Sequence, residues 1–114
     1  MAQLTAQKIV QAGLKPAYAA ATAAGDTLIN TGIQFFHVKN GSGVSVTASV
    51  TPVVTTYLDV DLGLLVKETA KLVLAAGTSG FLGPFEVDAF NSPTGTIELE
   101  YTAATTVTVA ALYI

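Results

Sequence analysis

At 114 residues the chain has room for one compact domain with a real core, and without a single cysteine it has neither a disulfide nor a thiolate metal site to staple that core. About half of the residues are hydrophobic, only 11% are charged and mean hydropathy is +0.57, so the solvated surface must be built largely from Thr, Ser and Ala. The net charge of −3, with five lysines (Lys8, Lys15, Lys39, Lys67 and Lys71) and no arginine, offers neither phosphate forks nor a basic cluster and argues against nucleic-acid binding. Small soluble domains carry roughly a quarter or more of their surface residues as charges. A surface this thinly charged is therefore expected to be covered in part by copies of itself or by a partner.

The N-terminal segment contains small-residue patterns, around Ala17 and Ala19 and again at Ala21 and Ala23, that resemble signal-peptidase sites. The stretch before them carries Gln3, Gln7, Lys8, Gln11 and Lys15 where an unbroken apolar run is required, so no signal peptide is expected. No run approaches the roughly twenty apolar residues of a membrane-spanning helix, and no membrane association is expected. Thr5 can cap a short helical turn through Gln11 or Ala12, with Gly13 ending it and Pro16 preventing its resumption. Residues 17–24 are rich in alanine, yet Pro16, Thr22, Gly25 and Asp26 favour an extended arm over a helix. Thr27 to Asn30 is a short strand candidate.

Residues 34–51 carry the clearest pattern. Phe36 and Val38 alternate with His37 and Lys39, and Val44, Val46, Ala48 and Val50 alternate with Ser45, Thr47, Ser49 and Thr51. That is the period of a half-buried strand on either side of Asn40, Gly41, Ser42 and Gly43, and it predicts a hairpin with its turn at the Asn-Gly pair. Pro52 ends the second strand, since it donates no ladder hydrogen bond. Leu58, Val60, Leu62 and Leu64 share one parity with Asp59 and Asp61 on the other, predicting a strand to Asp61 and a bend or bulge at Gly63. Leu64, Leu65 and Val66 are consecutive apolar residues, read either as a plug at one end of the fold or as a subunit contact.

Residues 69–75 are again strand-like, with Leu72 and Leu74 on one side and Lys71 and Val73 on the other. A Gly77 turn leads to a short strand at Phe81 and Leu82. Gly83, Pro84 and Phe85 make a rigid corner, residues 87–90 one helical turn, and residues 91–95 a release loop. Ile97, Leu99 and Tyr101, then Val107, Val109, Ala111 and Tyr113, mark the last two strands. The whole predicts an all-β, single-domain β-sandwich or small barrel of seven or eight short antiparallel strands over residues 25–114, preceded by an extended arm with a short helical turn over residues 1–24.

Catalytic chemistry is hard to assemble from these residues. His37 is the only histidine and, mid-strand between Phe36 and Val38, fits a surface or packing role. Asp59 with Asp61, and Glu98 with Glu100, each put two carboxylates on one side of a strand. Such pairs can hold a hard cation or cleave glycosides, but a solvated outer face is the favoured reading of each, since hydrolysis needs a cleft with sugar-stacking aromatics and the chain has no Trp. The segment from Asp59 begins like a calcium loop and fails at Leu64 and Ala70, where Gly and a bidentate Glu are required. Gly41, Ser42 and Gly43 begin like a dinucleotide fingerprint, but Val46 stands at the third glycine and a strand follows. Asn40, Gly41 and Ser42 fit a glycosylation pattern that has no meaning without secretion. Tyr18, Tyr57, Tyr101 and Tyr113 suit packing or an interface better than a ligand platform. No catalytic residue, cofactor or metal is expected.

Three stretches carry a resemblance: His37 through Gly43; Gly63 through Phe85, ending in Ala76, Gly77, Thr78, Ser79, Gly80, Phe81, Leu82, Gly83 and Pro84; and Phe90 and Asn91 followed by residues 95–101 and 107–111. This pattern resembles small proteins encoded among the head genes of tailed bacteriophages and prophages, some of them capsid decoration or cement proteins. The similarity spans nearly the whole chain, including residues 4–8. Such proteins commonly have Pro before Ala and Gly where this chain has Ala75. The resemblance implies a structural virion protein and no enzyme. It would be made in the host cytoplasm, bind the major capsid protein and copies of itself on the outer surface of a head, and be a homo-oligomer, with a trimer suited to a three-fold position. The arm is then the expected capsid-facing contact, because an extended segment can add a strand to a neighbour's sheet edge. Leu4, Ile9, Val10 and Tyr18 from the arm, with Leu64, Leu65 and Val66, are the candidate interface residues. The alternative is a β-sandwich module that binds carbohydrate or a host surface, which aromatics exposed on a flat face would favour.

Overall fold

The computed structural model describes residues 2–52, 56–59, 63–66 and 69–114. Among these are twelve strands: β1 (Ala2–Leu4), β2 (Gln7–Lys8), β3 (Ala19–Ala20), β4 (Asp26–Ile29), β5 (Phe35–Asn40), β6 (Val46–Val50), β7 (Thr56–Asp59), β8 (Gly63–Val66), β9 (Ala70–Leu74), β10 (Ser79–Leu82), β11 (Thr96–Tyr101) and β12 (Val107–Tyr113), with one helical turn, α1 (Val87–Phe90), between β10 and β11. The fold is all-β. One sheet runs β1-β4-β11-β6-β9; the other runs β10-β5-β12, and the far edge of β12 is shared by β2 and β3. β7 and β8 form a separate two-stranded ribbon.

The two sheets bury one face each against a common core, a sandwich-like arrangement that does not close into a barrel. Leu28, Val46, Ala48, Val50, Leu74, Ile97 and Leu99 come from one sheet, and Phe36, Val38, Val107, Val109 and Ala111 from the other. Side chains of alternate residues leave a strand on opposite faces. The parity read from the sequence in residues 36–38, 46–50, 72–74, 97–99 and 107–111 is thus the parity of the core. Phe85 drops into that core after Gly83, which takes φ +114°, and Ala89 and Phe90 of α1 close over it.

Four expectations need correction. The hairpin over residues 34–51 is an arch: β5 pairs with β10 and β12, while β6 pairs with β9 and β11, so the chain crosses from one sheet to the other at residues 41–45. Asn40 makes the crossing. Its buried amide Nδ2 donates to the carbonyls of Val44, Leu74 and Ala75 at 2.8, 3.1 and 3.3 Å, and its Oδ1 accepts from the backbone N–H and the hydroxyl of Ser42 at 3.0 and 2.6 Å. Val44, expected in the core row, lies in the arch and is 62% exposed.

Second, no helical turn forms over residues 5–12; Gln7 and Lys8 pair with Leu112 and Tyr113 as β2. A single capped turn gains too few backbone bonds to outlast a ready-made sheet edge. Third, the described residues from 25 to 114 hold nine strands in place of seven or eight, and the sheets are mixed, because β1 runs parallel to β4 and β2 parallel to β12. Fourth, Gly63 is no bend but opens β8, opposite Asp59. The rest of the strand expected to Asp61 falls on Val60 and Asp61, which lie outside the described residues.

The segment expected as an arm is extended and lies along the body of its own chain. β1 adds to one sheet, and β2 and β3 add to the other. Between them the Gln7 amide imitates a strand pair, donating from Nε2 to the Ala17 carbonyl at 2.8 Å and accepting from the Ala17 N–H at 2.9 Å.

Candidate interaction face

The sheets differ on their outer faces. On the sheet of β4, β6, β9 and β11 the outward side chains include Thr27, Thr47, Ser49, Lys71, Thr96, Glu98 and Glu100, a hydroxyl and charged surface interrupted by Ile29 and Val73. On the other sheet the ladders align Phe81 of β10, His37 of β5 and Ala110 of β12 in one row, and Ser79, Lys39 and Thr108 in the next. Tyr18, just before β3, completes the first row. The short Ala110 side chain lets its hydroxyl reach His37 Nδ1 at 2.6 Å.

The result is a continuous aromatic row on an outward face. The His37 imidazole stacks on Phe81 with ring centroids 4.4 Å apart and planes 17° apart. Tyr18 meets His37 edge-on at 5.5 Å, and Phe35 meets Phe81 edge-on at 5.8 Å. Lys39 Nζ stands 3.9 Å from the centre of the Tyr18 ring, a cation–π contact from the one charged side chain in the two rows. Phe81 is 61% exposed, so the row ends in a largely solvent-facing phenyl ring on the edge strand.

Partial burial, and secondarily the Lys39 charge, lower the His37 pKa below its ordinary 6.5. His37 is therefore mainly neutral at pH 7, and its Nδ1 and the Tyr18 hydroxyl share one hydrogen bond whose donor is set by the ring tautomer. The arrangement orients rings, and the Tyr18 hydroxyl is committed to His37.

The interface residues read from the sequence are scattered. Leu4 is partly buried against the core from β1. Ile9 and Val10 are exposed beyond β2, at 36% and 44%. Tyr18 belongs to the aromatic row. Leu64, Leu65 and Val66 lie in β8, opposite Leu58, Tyr57 and Thr56. Of the tyrosines, Tyr18 shares a hydrogen bond with His37, Tyr101 donates to Asp26 Oδ2 at 2.7 Å, and Tyr57 and Tyr113 belong to β7 and β12. His37 and Lys39 were expected opposite the core row, and His37 in a surface or packing role, but neither they nor Phe35 and Phe81 were read as interface residues. Their signal was available, since three of the four sit on the parity of β5 opposite to its core row and are not the Thr or Ser that fill that parity in β6.

Glu98 and Glu100 share an outward face, beside a groove of about 260 Å³ that Thr27, Thr51, Ser92 and Thr96 also line. Among the described residues no three His, Asp or Glu side chains converge as a metal site would require. A second groove, of about 440 Å³, lies between the arm and β12, lined by Gln3, Thr5, Gln7, Tyr18 and Ala110 among others. Comparison with protein families, curated proteins and solved structures returns no match.

Proposed function

We propose that the protein is a structural component of a tailed-phage virion, a decoration or cement protein whose β-sandwich docks on the outer surface of the head and stabilises it. It acts by binding and not by catalysis, with the major capsid protein and copies of itself as partners. The observation that carries this reading is the aromatic outer face, in which Phe81, His37 and Tyr18 line up beside Lys39, the one charged side chain in their two rows among the described residues. Aromatic side chains supply most of the energy at protein interfaces because they bury large areas at small entropic cost. The sequence resemblance to head-gene proteins supplies the context. Because residues 2–4, 7–8 and 19–20 pair with the chain's own strands, the head contact is assigned to this face, to which the arm contributes Tyr18, in place of a detached arm.

Co-sedimentation with purified heads lacking the protein tests the proposal. Saturable binding that stabilises heads against heat or chelation supports it. Failure to co-sediment with the head of any phage encoding a close homologue would overturn it.

A second reading, a module that binds carbohydrate or a host surface, is favoured by one specific feature, the exposed phenyl ring of Phe81. A glycan-array signal lost in Phe81→Ala, without head binding, would select it.

A further inference from the structure

We propose that the N-terminal arm is exchangeable, and that its seat along β4 and β12 accepts the same arm from a second copy of the chain. This goes beyond the docking face and stands or falls without it. The occupant of the seat is known in full register: Ala2, Gln3 and Leu4 pair with Asp26, Thr27 and Leu28; Gln7 and Lys8 with Leu112 and Tyr113; and Ala19 and Ala20 with Val109 and Thr108. An identical chain offers every one of these donors, acceptors and apolar contacts again, so exchange conserves them and needs no new interface.

Three features make release feasible. Each ladder is only two or three residue pairs long. Among the described arm residues, the hydrophobics that pack against the core are Leu4, Ala6 and Ala21, each only partly buried, while Gln3, Thr5, Lys8, Ala19 and Ala20 are exposed. The bonds between Gln7 and Ala17 lie within the arm and travel with it, so it moves as a preformed loop. Short segments held by few buried contacts open well below the cost of global unfolding.

What ties the arm to the body, besides those ladders, includes the Tyr18 hydroxyl on His37, the Lys39 ammonium over the Tyr18 ring, the Ile9 N–H on the Tyr113 carbonyl and the Ala21 N–H on the Val107 carbonyl. Beyond Ala21 the chain turns through residues 22–25, where the Gly25 N–H donates to the Thr22 carbonyl at 2.8 Å and Gly25 takes φ +100°. This turn is the hinge. Once lifted, the arm leaves the edges of β4 and β12 open, and open edges recruit strands. The arm of another copy is their matched complement. Reciprocal exchange yields a closed two-fold dimer.

The absence of cysteine gives a clean test. Ala20 and Thr108 are directly opposed across β3 and β12. Ala20→Cys and Thr108→Cys are made in separate chains of different mass, mixed, incubated and oxidised. Neither can cross-link internally. Exchange predicts a mixed disulfide dimer enriched severalfold over both symmetric dimers and increasing with concentration, and enriched further when Tyr18→Phe removes the tie to His37. Symmetric and mixed dimers in the proportions of random collision, or no dimer at any concentration with Tyr18→Phe present, would overturn the proposal. Circular dichroism of each variant establishes that the chains mixed are folded.

Discussion

Asn40 shows how much one buried polar side chain can decide. It is 2% exposed, and its amide serves the carbonyls of three residues from two parts of the chain. Asn40→Ala removes these bonds and leaves buried acceptors unpaired, so a loss of about 2–3 kcal/mol is expected, read from urea unfolding. Tyr101 is a second such residue. Burial first, then the hydrogen bond and charge of Asp26, push its pKa well above the ordinary 10. The fold therefore favours the neutral phenol: its contribution is intact below pH 10 and is lost as rising pH ionises the unfolded chain's tyrosine. Tyr101→Phe should flatten that alkaline decline in unfolding midpoint. His37 has the opposite sign. With its folded pKa below 6.5, the unfolded chain binds the proton more readily, and stability held above pH 6.5 falls as pH drops toward the folded value. NMR titration of its ring should give a pKa under 6.5 that moves upward in Lys39→Met.

Among the elements, strands were legible and their partners were not. Alternation in residues 46–50, 97–101 and 107–111 marks the buried face of each strand, because a period of two is a property of one strand alone. Which strand lies beside it is set by contacts far along the chain. A hairpin and an arch at Asn40 give the same alternation, and the deciding bonds run to Leu74 and Ala75, more than thirty residues away. For the same reason Phe35, His37 and Phe81 could not be seen as one row before β10 was laid against β5. The arm misled differently: helix signals at Thr5 and Gly13 are real local preferences, overridden by the free edge of β12. Deleting residues 1–24 should consequently uncover the edges of β4 and β12 and yield a less stable, aggregation-prone domain. Light scattering and thermal melting of the truncated chain check this.

At the scale of the whole molecule the two outer faces divide the work. The face of β4, β6, β9 and β11 carries hydroxyls and carboxylates that keep it in water, whereas the face of β5, β10 and β12 carries aromatic rings with a single cation. In a chain with so few charges, this asymmetry gives the proposed docking a direction. Equilibrium binding to purified heads, comparing the unsubstituted protein with Phe81→Ser and with Val73→Ser on the opposite face, tests that directly. Loss of an exposed anchor ring at an interface costs about 2 kcal/mol, a roughly thirtyfold weakening, and that is the result expected for Phe81→Ser while Val73→Ser binds as before. Equal affinity for all three proteins, or weakening by Val73→Ser alone, would contradict the account.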